Sequence, residues 1–371
     1  MCQRSWETQA LQKIEADYKR SAETPLLKVK LPAISRIHLY LKDESAHITG
    51  SLKHRLARAL FLYGLSNGWI HHNTTIIEAS SGSTAVSEAY FARLLELPFI
   101  AVIPRQTSAK KISQIQCYGG QCHFVEEPSH IWSESRLLAD RLRGHFMDQF
   151  TYAERATDWR GNNIAQAIYE QMRQETYDIP AWMVVGAGTG GTATTCGRYI
   201  RHRGVDTQLC VVDPEDSVFY EYYKSGNRDV QTAGPSRIEG IGRPRVEPSF
   251  IREVIDGMIK VPDAASIAAI HFLEALIGRK CGGSTGTNVY GTLQLIHAMA
   301  RNGETGSLVT LINDSGDRYL DTYYNAAWLR NHGLHIHPYE AQLQHFYATG
   351  EWQDLRMDDY ETPADCSAIL V

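Results

Sequence analysis

Apolar positions along this chain recur with two alternating periods. Leu52, Leu56, Ala59, Leu60 and Tyr63 fall at helical spacing, and the run Thr75–Ala79 that follows reads as a buried strand. The small-residue turn Ser80-Ser81-Gly82-Ser83-Thr84 closes that strand, and a helix through Val86, Tyr90 and Leu94 comes next. A strand at Phe99–Ile103 stops at Pro104, and a helix around Ile112, Ile115 and Gln116 leads to a strand at Cys122–Val125. The same rhythm resumes with strands at 182–185, 209–212 and 308–312, separated by helix-compatible stretches at 191–203, 263–277 and 287–300. Strands alternating with helices predict βαβ units and parallel sheets. The expected architecture is two α/β sheets with a cleft between them, binding ligands at the carboxyl ends of the strands. Residues 213–250, rich in Asp, Gly, Pro and Arg, read as long irregular connections.

A length of 371 residues suits about two domains, with 43% hydrophobic and 21% charged residues as in ordinary globular proteins. A formal net charge of -5 gives no electrostatic reason to expect nucleic acid or an anionic membrane as partner. Small-molecule chemistry fits better. The N-terminal segment has no apolar core of a signal peptide, and no apolar stretch is long enough to span a bilayer. The seven cysteines are odd in number and scattered, which reads as reduced thiols. The cytoplasm is the expected compartment.

Three turns and one lysine stand out against this background. Gly188-Thr189-Gly190-Gly191-Thr192 follows a strand and opens a helix, so its backbone N–H groups and hydroxyls suit a phosphate. A dinucleotide is the competing ligand, because Gly186 to Gly191 also fits G-x-G-x-x-G with Asp213 as the acid. Ser80 to Thr84 is dense in hydroxyls and free N–H groups and suits a carboxylate. Cys281-Gly282-Gly283-Ser284-Thr285-Gly286-Thr287 has the same character, although Ser284 or Thr285 could simply cap a helix. Lys53 stands at the start of a helix just after the Gly50 turn, where the dipole disfavours its charge and His54 and Arg55 push the same way. A lysine able to hold a carbonyl beside a phosphate cradle suggests a pyridoxal phosphate (PLP) enzyme.

From Thr24-Pro25-Leu26-Leu27 through Asp314 to Tyr319, the chain resembles the cysteine synthase / cystathionine β-synthase family of fold-type II PLP enzymes. Gly50-Ser51-Leu52-Lys53-His54-Arg55 is similar to the family's G-S-x-K-D-R, which implies that Lys53 carries the cofactor covalently. Ser80, Ser81, Gly82 and Thr84 match the loop for the substrate α-carboxylate, and Gln149 matches the residue assisting it. Ser83 stands where the family has an Asn touching the cofactor ring oxygen. Gly188, Thr189, Gly190, Gly191 and Thr192 match the phosphate cup, and Ser284 the contact to the pyridine nitrogen. Gly240, in Ile238-Glu239-Gly240-Ile241-Gly242, matches the segment bordering the substrate. His54 replaces the family's Asp, and Arg243-Pro244-Arg245 replaces an aromatic or small residue.

The resemblance implies two parallel-sheet α/β domains of the tryptophan synthase β-like architecture, with the active site in the cleft. The smaller domain would span 42–154, and the larger, PLP-binding one 1–41 and 155–371 with a C-terminal extension. The S-S-G-S-T-A loop, the G-R-P-R segment and the extension are similar to the cysteine desulfhydrase branch. That implies β-elimination of L-cysteine to sulfide, pyruvate and ammonia through an aminoacrylate; cysteine synthesis from O-acetylserine and sulfide is the alternative. A homodimer without a metal is expected. His332, His335, His337 and His345 read as solvated or capping residues.

Overall fold

A computed structural model describes residues 3–355 apart from Ala233 and Pro235. In it, ten strands run in chain order: β1 (Leu26–Val29), β2 (Ile37–Asp43), β3 (Ile76–Glu78), β4 (Phe99–Pro104), β5 (Gln121–Val125), β6 (His145–Phe146), β7 (Trp182–Gly186), β8 (Gln208–Pro214), β9 (Gly257–Val261) and β10 (Gly306–Ile312). They form a six-stranded sheet in the order β1-β2-β10-β7-β8-β9 and a four-stranded sheet in the order β5-β4-β3-β6. β1 pairs antiparallel to β2, and the other pairs are parallel. The expected α/β class and its two parallel sheets are what the chain forms.

Burial explains the strand sequences. β7 and β10 are covered on both faces by helices, so their residues read as continuous apolar runs rather than alternating ones. One face of the larger sheet packs on the helices Asp263–Ile277 and Gly283–Arg301, the other on Ile164–Met172 and Gly191–Arg203. The smaller sheet lies under Lys53–Ser66 and Ser83–Leu94 on one side and Ile131–Leu142 on the other.

β2 lies inside the larger sheet although the periodicity does not mark it. Its Lys42 is fully buried, and the ammonium donates to the Thr24 carbonyl at 2.6 Å and to Gln171 Oε1 at 2.7 Å. Glu23 completes the shell at 3.1 Å. A buried charge is tolerable only with such partners, which here come from distant parts of the chain. Residues 213–250 are less irregular than expected, since β8 ends within them and Phe219–Ser225 is a short helix.

The C-terminal extension is part of the core. Leu329, Leu334, Ile336, Tyr339, Leu343 and Phe346 are buried against the helices of the larger sheet, and the Tyr290 hydroxyl donates to Gln342 at 2.7 Å. Residues 356–371 of that extension lie outside the described part. No described helix is long and apolar enough to cross a membrane. Leu343 is fully enclosed in helix His337–Thr349. Leu343→Ala is therefore expected to lower the unfolding free energy by about 2–5 kcal/mol. Chemical denaturation checks this, and an unchanged midpoint would count against a structural role for the extension.

Candidate active site

The candidate residues gather where the carboxyl ends of both sheets face each other. The segment Asn313-Asp314-Ser315, directly after β10, joins two of them. On one side the Leu52 N–H donates to the Asn313 carbonyl at 2.8 Å, and Ser51 bridges to Asp314. On the other, Asn313 Nδ2 donates to Ser284 Oγ at 3.1 Å and the Asn313 N–H to Thr285 Oγ1 at 3.0 Å. Lys53 and Ser284, 231 residues apart in the chain by 284 − 53, are thus tied to one strand end.

Lys53 begins its helix with no hydrogen-bond or ion-pair partner for its amine among the described residues. Burial first, and then the Arg243 guanidinium, push the amine down to about 8, while Glu78, Asp314 and Glu88 oppose the shift. The expected help from its neighbours takes another form. Burial holds His54 neutral, pushed down to about 3, with its ring stacked on His47 at 4.9 Å. Arg55 is turned away to Glu23 and Glu44. The cation acting on Lys53 is instead Arg243, which lies 4.3 Å above the Phe150 ring and pairs with buried Glu247 at 2.8 Å. Arg245 shares the same carboxylate at 3.3 Å.

The glycine cup follows β7. At Gly188 a side-chain carbon would sit 2.2 Å from the Gly240 carbonyl oxygen, and at Gly190, with φ of +90°, it would sit 2.5 Å from Phe250 Cα. Only glycine fits either position. Thr189 Oγ1 accepts from the Gly191 N–H, leaving the N–H groups of Thr189, Gly190 and Thr192 without acceptors among the described residues. Orphan donors at the start of helix Gly191–Arg203 suit a dianion, so the cup fits the phosphate of PLP. Asp213, the acid a dinucleotide would need, is fully buried and accepts from the Tyr220 N–H at 2.9 Å. It serves a neighbouring helix instead.

The hydroxyl loop follows β3. The Ala79 N–H donates to Glu78 Oε1, the Gly82 N–H to Ser80 Oγ, and the Thr84 hydroxyl to Gln149 Oε1 at 2.8 Å. The N–H groups of Ser81, Ser83 and Thr84 have no acceptor among the described residues. The Ser83 hydroxyl accepts from Arg318 at 2.6 Å, and Arg318 also reaches the Thr49 carbonyl. Two further contacts cross the cleft: Lys111 pairs with Glu239 at 2.8 Å, and Lys110 donates to the Asp317 carbonyl at 2.7 Å. Gly240, beside Glu239, is exposed against the cup. A cavity of about 160 Å³ opens at the phosphate end, lined by Lys53, Thr189, Gly191 and Thr192 but not by the hydroxyl loop or Ser284. Sequence reasoning missed Arg318, Asn313, Glu78 and Glu88; the only local signal was an acid in an otherwise apolar or small-residue run.

Residues 20–314 match the family described as pyridoxal-phosphate dependent enzymes. The chain belongs to that family, and its cofactor is PLP. It is 57% identical over 354 residues to the L-cysteine desulfhydrase Cds1 of Mycobacterium tuberculosis, covering 94% of this chain and 96% of that one. Among solved structures, an O-acetylserine dependent cystathionine beta-synthase from Helicobacter pylori superposes with a TM-score of 0.70 at 26% identity, covering 84% of this chain and 97% of that one. A hydrogen sulfide-producing enzyme solved with an alpha-aminoacrylate intermediate shares the fold, with a TM-score of 0.72 at 24% identity over 84% of this chain and 91% of that one.

A lysine amine lowered to about 8 is half neutral at that pH, and only the neutral amine attacks a carbonyl. The rate of PLP capture by apoenzyme, followed by absorbance, is therefore expected to rise with pH through a midpoint near 8. Arg243→Ala removes a nearby cation, so the midpoint should move to higher pH. A midpoint unchanged by the substitution would refute the assignment of Arg243.

Proposed function

We propose that this protein is an L-cysteine desulfhydrase, which breaks the Cβ–S bond of L-cysteine and yields sulfide, pyruvate and ammonia. The observation that carries the reading is the 57% identity to such an enzyme across 94% of the chain. When bound, PLP supplies the electron sink for the pair left on Cα as its proton departs.

The chain's own residues supply the rest. Lys53 holds the cofactor and then, once released, takes the Cα proton as a neutral amine. Gly188, Thr189, Gly190, Gly191 and Thr192 grip the phosphate through N–H groups and hydroxyls. Ser284 Oγ already accepts from Asn313, so its own proton is what it offers to the pyridine nitrogen. A neutral hydroxyl at Ser284 would donate one hydrogen bond there without bringing the negative charge that a protonated ring would need. Ser80, Ser81, Gly82 and Thr84, braced by Gln149, hold the α-carboxylate, and Gly240 borders the substrate. Ser83 gives its hydroxyl to Arg318 and keeps its N–H for the ligand.

The reading extends to organisation. Residues 42–154 form the smaller domain, carrying the hydroxyl loop, and 1–41 with 155–371 form the larger. The protein is a homodimer, and it works in the cytoplasm, a compartment that suits the free thiols at Cys117, Cys122, Cys196, Cys210 and Cys281. A β-replacement reading is favoured by the likeness to the O-acetylserine dependent enzyme.

Purified holoenzyme assayed against L-cysteine is expected to release sulfide and pyruvate in equal amounts. Lys53→Ala should lower that rate by about 100- to 10,000-fold, the usual worth of a positioned acid/base, while the protein stays folded. No sulfide from L-cysteine beside rapid cysteine formation from O-acetylserine and sulfide would overturn elimination in favour of replacement.

A further inference from the structure

Two glutamates lie completely buried beneath the hydroxyl loop. Glu78 ends β3 and Glu88 stands in the helix Ser83–Leu94, each with no measurable exposure. Their side chains meet each other. Neither forms an ion pair with any described residue; the charged groups near them are Asp148, which faces Glu78, and Lys53. Two ionised carboxylates in contact and shut away from water repel strongly, so such a pair keeps one proton.

The geometry says which carboxyl holds it. Glu78 accepts from two backbone donors, the Ala79 N–H at 2.7 Å and the Gln149 N–H at 3.3 Å, and both favour its ionised form. Neither oxygen of Glu88 receives a hydrogen bond. Burial and Asp148 push Glu78 up to about 7, yet its two backbone donors leave it the more readily ionised of the pair, so the shared proton is assigned to Glu88. Burial and the contact between the two push Glu88 well above the ordinary carboxylate range.

Glu78 is the hub of the loop. Its two bonds hold Ala79, where the loop starts, and Gln149, whose side chain accepts from Thr84, where the loop ends. We propose that Glu88 is a positioning residue for the substrate carboxylate: its O–H fixes the Glu78 carboxylate, which sets both ends of the Ser80–Thr84 loop. This rests on the reading that the loop holds that carboxylate. Loss of the Glu88 proton at alkaline pH would place a second negative charge under the loop, so affinity for an amino acid falls there while the chemical step does not.

The test compares KM and kcat for L-cysteine across pH in holoenzyme carrying Glu88→Gln or Glu88→Leu. Gln keeps a donor that cannot ionise, so KM should stay within about 2-fold of the parent at neutral pH and lose its alkaline rise. Leu removes the donor, so KM should rise about 10-fold with kcat within about 3-fold. An alkaline rise in KM that survives in Glu88→Gln would overturn the proposal, as would a parental KM in Glu88→Leu. Ser81→Pro, which removes one of the loop's free N–H donors, separates the underlying reading: if its KM is parental, the loop is not the carboxylate site. If that KM rises while the Glu88 variants behave as the parent, only the role of Glu88 fails.

Discussion

The site depends on the way three residues after β10 are held. Asn313 to Ser315 leave the sheet where two turns approach from opposite directions, and they bond to both. Their backbone fixes the turn that carries Lys53, and the Asn313 side chain fixes Ser284. The distance between Lys53 and Ser284, the residues proposed to hold the cofactor and to meet its ring nitrogen, is thus set by one strand end. Parallel sheets make such an arrangement natural, because every strand delivers its loop to the same edge.

Charge is organised around that anchor by enclosure more than by pairing. Lys53 has no fixed partner among the described residues, and its amine is lowered by burial and Arg243 against the opposing pull of Glu78, Asp314 and Glu88. Asp314, one of the three, is pushed up to about 6 by burial and bonds to the Tyr319 hydroxyl. Arg243 is itself held over Phe150 by Glu247, so the cation is anchored and not free to follow the lysine. A group with no rigid partner can exchange one covalent bond for a proton without leaving an orphaned charge behind.

What could be read in advance was local. Gly188 to Thr192, Ser80 to Thr84 and Cys281 to Ser284 are short runs whose glycines and hydroxyls announce a turn, and each opens a helix as expected. β7, β8 and β10 were legible because burial on both faces demands unbroken apolar sequence. β2 was not, since Lys42 and Asp43 resemble a surface edge until Thr24 and Gln171 are seen around the ammonium. Glu88 was hidden in the same way: an acid in a helix normally faces water, and only the fold encloses it against Glu78. Arg318 lies 235 positions from Ser83, by 318 − 83, a separation at which no short pattern carries information.

The polar ties across the cleft have a consequence for traffic. Arg318 to Ser83, Lys111 to Glu239 and Lys110 to the Asp317 carbonyl all join the smaller sheet's side to the larger. Any parting of the two halves has to break them together, and all three involve side chains at least partly open to water. Dissolved electrolyte screens such contacts, so it loosens the hold of one sheet's side on the other.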